Sequence, residues 1–456
     1  MRRRASVVLT LLGLATAALA LAGPSAAAVP AVAFDPPSVE VHFPESMIWT
    51  QAFSAAEPPA RVELVSRLDG GDASFVRDAT FESVGQVGAP VGSYRVRLVD
   101  TGTALPNEVL RYHFRLTTRS GRVIDGPEGV VQVVDDRVTW RTLKGDVVRL
   151  HWHAGDEAFA RRALRIAEDA IASTAKLLGV SETEPIDFFV YGDEDLFRSA
   201  LPGTKEFVAG RAIAEIRTLF AIIQPSEIGS DWVQIVIPHE LTHLVFDTAT
   251  GNPYHVPPHW LNEGLAVYLS EGLTAADRRR LANAMERGTL LPLQAIDEGF
   301  PQAREELFYL GYAEGTSAID FFIRRFGEPT LVELIRSYAA GVTDDDAFKT
   351  ATGLDMAGFA AAWLDDIGAD QPRSHGPGSP LPGPTPADWT VGAGAPSGPS
   401  GSPSPGSASD TTAPAAGLAD DLIAGVLGGI VIGLLMVAGA MLVVRRRRAP
   451  PPEPAP

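Results

Sequence analysis

The sequence predicts an all-β sandwich of immunoglobulin-like type, then an α+β domain, a polar tether and a single membrane-spanning helix near the C-terminus. Three observations predict this order. Short runs of alternating polar and apolar residues, separated by Gly, Pro, Asp and Asn clusters, fill 34–140. From about 141 the apolar period becomes helical in several segments, one of which contains His239-Glu240-Leu241-Thr242-His243. Residues 422–444 are an unbroken apolar run of 23 residues, long enough to cross about 30 Å of hydrocarbon as a helix.

The chain opens on a targeting pattern. Arg2, Arg3 and Arg4 precede an apolar stretch, and Ser25, Ala26, Ala27 and Ala28 supply the small residues of a cleavage site. Residues 1–28 therefore read as a secretory signal peptide and take no part in the fold.

In 34–140, Val39, Val41 and Phe43 alternate with polar neighbours. So do Val62 and Leu64, then Tyr94, Val96 and Leu98, then Leu110, Tyr112, Phe114 and Leu116, with Val131 and Val133 after them. Alternation at this spacing places one face of each strand against a partner sheet. No catalytic constellation is visible there, so a structural or substrate-presenting accessory is expected.

The domain at 141–369 begins with a strand at 147–152. A helix over 156–178 follows, with Phe159, Leu164, Ile166, Ala167, Ala170 and Ile171 at helical spacing. Strands are expected at 186–191 and within 212–223, then the helices around His239 and Glu263. Further helices are expected near 274–287, 309–326, 329–340 and 357–367. A strand at 212–223 would edge a cleft where an extended peptide could add as another strand.

The motif carries the chemistry. Residues i and i+4 of a helix share a face, so His239 and His243 can reach one metal ion. Val233, Ile235, Val236, Ile237, Leu241, Leu244, Val245 and Phe246 make the helix a buried one. Histidine and glutamate in such surroundings need partners, and a metal supplies one. Zinc takes nitrogen and oxygen ligands tetrahedrally, and a catalytic site keeps one position for water. Glu240, beside the first ligand, is placed to take a proton from that water. Phe246 and Ala249 occupy the positions where a metzincin carries Gly and His, which excludes that class. Glu263, inside the apolar segment 260–269, is the expected third ligand. Asp247 is either an acceptor orienting an imidazole or a solvated helix end. His255 and His259, in and after a Pro-rich loop, are expected at the rim. Pro238 implies that the helix bends there or that its regular part begins there.

HELTH followed by WLNEGLAVYLSE resembles the gluzincin metallopeptidases, in particular the zinc aminopeptidase family and the peptidase-MA-like domains. Nineteen residues, 244–262, separate the motifs, one more than the family pattern. The resemblance covers about 205–340. It implies a zincin-like α+β fold, with His239, His243 and Glu263 as ligands of one zinc ion and Glu240 as general base. It also implies a downstream tyrosine that stabilises the oxyanion, for which Tyr309 and Tyr312 are the candidates and Tyr312 is preferred. The family's upstream G-x-M-E-N strand is represented only by Glu215 in Ala212-Ile213-Ala214-Glu215-Ile216. Recognition of a free substrate amine is thus not implied as firmly as the metal site.

Residues 370–418 are dominated by Pro, Gly, Ser, Ala and Thr, which cannot bury a core and read as a disordered linker. Asp420 and Asp421 precede the apolar run and Arg445 to Arg448 follow it, so 445–456 reads as a cytoplasmic tail. The expected product is a single-pass protein of the cell membrane with its catalytic domain outside the cytoplasm. The absence of cysteine excludes disulfides and thiolate ligands. A formal charge of −18 argues against nucleic acid and anionic membrane surfaces as partners. A peptide or protein is the expected substrate. The competing readings are an inactive zinc-bearing binding module and a zinc hydrolase of non-peptide substrates.

Overall fold

The computed structural model describes residues 32–85, 91–101, 104–204, 208–297 and 305–372. The 1–28 leader, the tether beyond residue 372, the 422–444 run and the 445–456 tail lie outside them.

The N-terminal region is β throughout. Its strands are β1 (Val32–Phe34), β2 (Ser38–His42), β3 (Ser46–Ala55), β4 (Pro59–Leu68), β5 (Phe75–Asp78), β6 (Thr80–Ser83), β7 (Gly92–Asp100), β8 (Val109–Thr118), β9 (Val123–Asp125) and β10 (Gly129–Gln132). One antiparallel sheet runs β1-β3-β7-β6 with β2 on β3, and a second runs β10-β8-β4-β5 with β9 on β8. In β3 every second residue is buried, the period that the side chains of a pleated strand impose. Trp49, Phe53 and Val96 of the first sheet share a core with Leu64, Phe114 and Leu116 of the second. The rings of Trp49 and Tyr112 meet edge to face, centroids 4.6 Å apart.

A third sheet begins at Arg141. Its strands are β11 (Arg141–Lys144), β12 (Val148–Trp152), β13 (Ile186–Tyr191), β14 (Gly210–Ile213) and β15 (Thr218–Ile222), in the order β11-β12-β13-β15-β14. The central pairs β12/β13 and β13/β15 are parallel, and β14 is an antiparallel edge strand. The crossover from β12 to β13 is α1 (Glu157–Leu178). Asp156 caps its start by accepting from the Phe159 N–H, and Gly179 ends it at φ 63°, a left-handed conformation that favours glycine. Alternate residues of this sheet face opposite ways. Leu150, Phe188, Leu219 and Ala212 join the helical core, whereas Tyr191, Phe220 and Ile213 join the core of the β-rich region. Polar bonds tie the two regions together: the Asn107 amide donates to Asp187 Oδ2 and Thr218 Oγ1, each at 2.9 Å.

The helical part comprises α2 (Glu194–Ala200), α3 (Asp231–Thr250), α4 (His259–Ser270), α5 (Ala275–Arg287), α6 (Leu293–Asp297), α7 (Glu305–Phe326), α8 (Glu328–Ser337), α9 (Asp344–Thr352) and α10 (Met356–Ile367). Helix α3 is apolar on nearly every side and runs through the centre of this core. It begins seven residues before Pro238, so the proline lies inside the helix rather than at its start. Pro238 leaves the carbonyl of Gln234 without its helical donor.

The expected fold class needs one correction. A β-rich region and a helical domain are present, but no described helix is long and apolar enough to cross a membrane. Apolar length measures the capacity of a segment to span, not where it resides. The fold of the described residues is therefore a β-rich region and a helical domain, without the membrane-spanning helix that the sequence leads one to expect.

Candidate metal centre

Three helices and one strand build the site. Helix α3 presents His239, Glu240 and His243 from adjacent turns, and α4 presents Glu263. The Nε2 atoms of His239 and His243 lie 3.5 and 3.7 Å from Glu263 Oε2. One ligand atom from each residue falls within 4.8 Å of the others. All three side chains are buried, with exposures of 0%, 1% and 2%.

Burial sets the protonation states. It drives the His239 imidazolium well below the usual histidine range, helped by His243. Burial likewise brings His243 to about 4, against the opposing effect of the hydrogen bond its ring donates to Asn262. Both rings are therefore neutral at pH 7, the state in which imidazole ligates metals. The Glu263 carboxyl is pushed well above its ordinary value by burial and then by Glu240, while a hydrogen bond from Tyr312 opposes this. A cation at this point reverses that balance by favouring the carboxylate.

The donor set fits a zinc ion. His239 Nε2, His243 Nε2 and Glu263 Oε2 are shut off from solvent and have no hydrogen-bond partner. Orphaned buried polar atoms are costly, and here three of them converge. Two imidazole nitrogens and one carboxylate oxygen match the donors of a catalytic zinc site with one position left for water.

Glu240 is fully buried beside them. Its Oε2 accepts the Ala212 N–H of β14 at 2.9 Å, and its Oε1 has no partner. Gly210 makes this approach feasible: a Cβ there would lie 2.8 Å from Glu240 Cγ and 3.0 Å from Oε1. Burial raises the Glu240 carboxyl well above the carboxylate range, opposed by the Ala212 amide and by Arg211.

Tyr312 enters from α7. Its phenol donates a hydrogen bond to Glu263, and its ring centroid lies 6.1 Å from that of His239. Glycines allow this. A Cβ on Gly264 would come within 2.5 Å of the backbone of Gly315, so α4 and α7 cross in backbone contact. Tyr309 is half-buried, hydrogen-bonded to Glu305 and lying under the guanidinium of Arg280.

Other candidates lie elsewhere. Glu215 occupies the exposed 3₁₀ turn Ala214–Ile216 after β14 rather than a strand. Asp247 is partly buried, but the acceptor for His243 Nδ1 is Asn262 Oδ1 at 2.8 Å. His255 contacts Asp344 at 2.8 Å in the loop beyond α3. His259 opens α4, one turn before Glu263. Asn262 was legible in principle: like Glu263, it is a polar residue within an apolar stripe, and burial there demands a partner.

Residues 166–369 match the Peptidase MA superfamily. Among solved structures, the chain is similar to an aminopeptidase N family protein from Idiomarina loihiensis, with 10% identity over 72% of this chain and 74% of that one, at a TM-score of 0.39. It is also similar to an M1 zinc metallopeptidase from Deinococcus radiodurans, with 14% identity over 75% of this chain and 96% of that one, at a TM-score of 0.34. No curated protein matches the chain. Residues 166–369 resemble a Peptidase MA superfamily domain, and that match together with the His239, His243 and Glu263 group supports a zinc-dependent, gluzincin-like metallopeptidase.

Proposed function

We propose that residues 141–369 hydrolyse peptide bonds with one zinc ion held by His239, His243 and Glu263, with Glu240 as general base and Tyr312 as oxyanion donor. The observation that carries this reading is the convergence of three buried, unpartnered ligand atoms beside a second buried carboxyl, that of Glu240, whose Oε1 has no partner.

Bound zinc supplies Lewis acidity toward the substrate carbonyl and lowers the pKa of water from about 15.7 to roughly 7. The chain's own residues do the rest. The Ala212 N–H holds Glu240 Oε2 and leaves Oε1 to accept the proton of the attacking water. Glu240 then returns that proton to the leaving nitrogen. The Tyr312 phenol, fixed by the α4–α7 crossing, donates toward the oxygen on which charge develops. Strand β14 pairs only with β15 among the described residues. Its other edge faces α3, where Glu240 takes the Ala212 N–H.

The 34–140 region is read as an accessory that supports the third sheet. The basic, apolar and small-residue pattern of 1–28 supports a location outside the cytoplasm, which cell fractionation tests. Glu240→Gln tests the catalytic reading. It should retain zinc and lose peptide hydrolysis by a factor of roughly 10² to 10⁴. Full turnover by Glu240→Gln would sink the base assignment.

A further inference from the structure

Arg211 sits between the two residues of β14 that touch Glu240. On one side of it the Ala212 N–H donates to Glu240 Oε2 at 2.9 Å. On the other, a Cβ at Gly210 would lie 2.8 Å from Glu240 Cγ. Successive side chains of a strand alternate in direction. Ala212 packs in the helical core and Ile213 in the core of the β-rich region, so Arg211 leaves the strand on the side of Ile213. Strand β14 is the edge of its sheet, and the guanidinium still acts on the charge of Glu240, as Glu240 acts on it. The other charges it meets are those of Glu215 and Glu108. Its place is the corner where β14, Glu240 and the β-rich region come together.

The guanidinium is buried there without a contact partner. Arg211 is only 9% exposed, and its Nε is shut off from solvent with no acceptor. Among the described residues no carboxylate lies within ion-pair distance of it. The three acids that act on it do so at longer range. Glu108 accepts the Leu105 N–H at 3.1 Å, Glu240 accepts the Ala212 N–H, and Glu215 is exposed on its 3₁₀ turn. A buried arginine is almost always paired, because removing its charge from water is costly. The missing partner is then an anion from outside the chain, and the position beside Glu240 makes the bound substrate its source.

We infer that Arg211 is a specificity-determining residue that takes a carboxylate of the bound peptide, either an acidic side chain or the free C-terminus. Its planar fork matches a carboxylate through two parallel N–H donors. The inference rests on the peptidase reading above, but its test reads binding and not turnover.

The experiment uses the full chain, zinc-loaded and carrying Glu240→Gln, with fluorescent peptides of one neutral frame measured by anisotropy. Glu is placed at each internal position in turn, each peptide having a Gln counterpart, and a further pair differs only in a free or amidated C-terminus. One carboxylate-bearing peptide should bind roughly tenfold tighter than its neutral counterpart, and the pair that responds identifies the source of the carboxylate. Adding Arg211→Met should erase that ratio. Adding Arg211→Lys, which keeps the charge and loses the fork, should reduce it, and decides the matter if Arg211→Met does not fold. Equal binding within every pair, no binding of any peptide, or a ratio untouched by these substitutions overturns the inference. Loss of hydrolysis in the parent protein would count against the peptidase reading alone.

Discussion

The side-chain amide oxygen of Asn262 lies 2.8 Å from Nδ1 of His243. The contact joins α4 to α3 and fixes which nitrogen of His243 faces Glu263. With Asn262 Oδ1 as acceptor, Nδ1 carries the proton and Nε2 keeps its lone pair for the metal. Orienting partners of this kind typically govern ten- to hundredfold in metal affinity. Asn262→Ala should therefore weaken zinc binding by roughly ten- to hundredfold while the far-ultraviolet dichroism stays unchanged. Competition with a chromophoric chelator measures it, and unaltered affinity would show that the contact does not position the ring.

The position of Glu240, the proposed base, depends on a glycine thirty residues away in sequence. Gly210 and Glu240 are in contact, and the side chain of any other residue at 210 meets Glu240 Cγ at 2.8 Å. Glu240 is already tethered by the Ala212 amide, so it has little freedom to yield. A misplacement of about 1 Å in a catalytic group can cost roughly 10² in rate. Gly210→Ala should lower kcat by about that factor while zinc content, measured by atomic absorption, remains stoichiometric. A kcat equal to that of the parent would mean that Glu240 re-seats without penalty.

These two contacts mark the limit of what the sequence reveals. Burial of His239, His243 and Glu263 was readable, because polar residues inside apolar helical segments need a partner and the i, i+4 spacing names it. Strands such as β3 and β8 were readable from alternation, and α1 from its apolar stripe and the Asp156 cap. The short helices were not. Helix α9 buries only Ala347 and Phe348, and α2 only Phe197 and Ala200, too few positions to establish a period. Helix α7 reaches back to Glu305 rather than 309, with Glu305 and Glu306 followed by the apolar Leu307 and Phe308 in its first turn. The pairing of Gly210 with Glu240, and of Gly264 with Gly315, is tertiary: in sequence each glycine reads only as a weak helix or strand residue.

Burial at the junction of the two regions makes stability depend on pH. Glu108 is buried beside Arg211 and Glu215, and its carboxyl is pushed up to about 7. Burial is the cause, opposed by the Leu105 N–H and the charge of Arg211. The unfolded chain releases this proton near 4.5 and the folded chain only near 7, so the folded state binds more protons between those values. Stability from this group is thus present below about 4.5 and is lost as pH rises through 7, by up to about 3 kcal/mol. Glu108→Gln keeps an acceptor for the Leu105 amide and removes the titration. The gap in melting temperature between Glu108→Gln and the parent should be small at pH 5 and widen in favour of the variant by pH 8. A gap independent of pH would remove Glu108 as its source.

Tyr312 has two partners to serve, and the geometry separates them. In the structure its phenol donates to Glu263, a bond made possible by the Gly264–Gly315 crossing. In the proposed mechanism the same hydroxyl donates toward the oxygen on which charge develops. Tyr312→Phe preserves the ring that packs against Phe308 at 4.8 Å between centroids, so the core should stay filled. Loss of a single oxyanion donor costs about 10² to 10³ in kcat. Ground-state binding does not use that donor, so KM should change by less than about threefold. Tyr309→Phe, one turn away and bonded to Glu305, should leave kcat within about threefold of the parent, since no developing charge faces it. Steady-state kinetics on one peptide separates the two variants. Equal losses in both would assign the effect to packing of α7 and not to the Tyr312 hydroxyl.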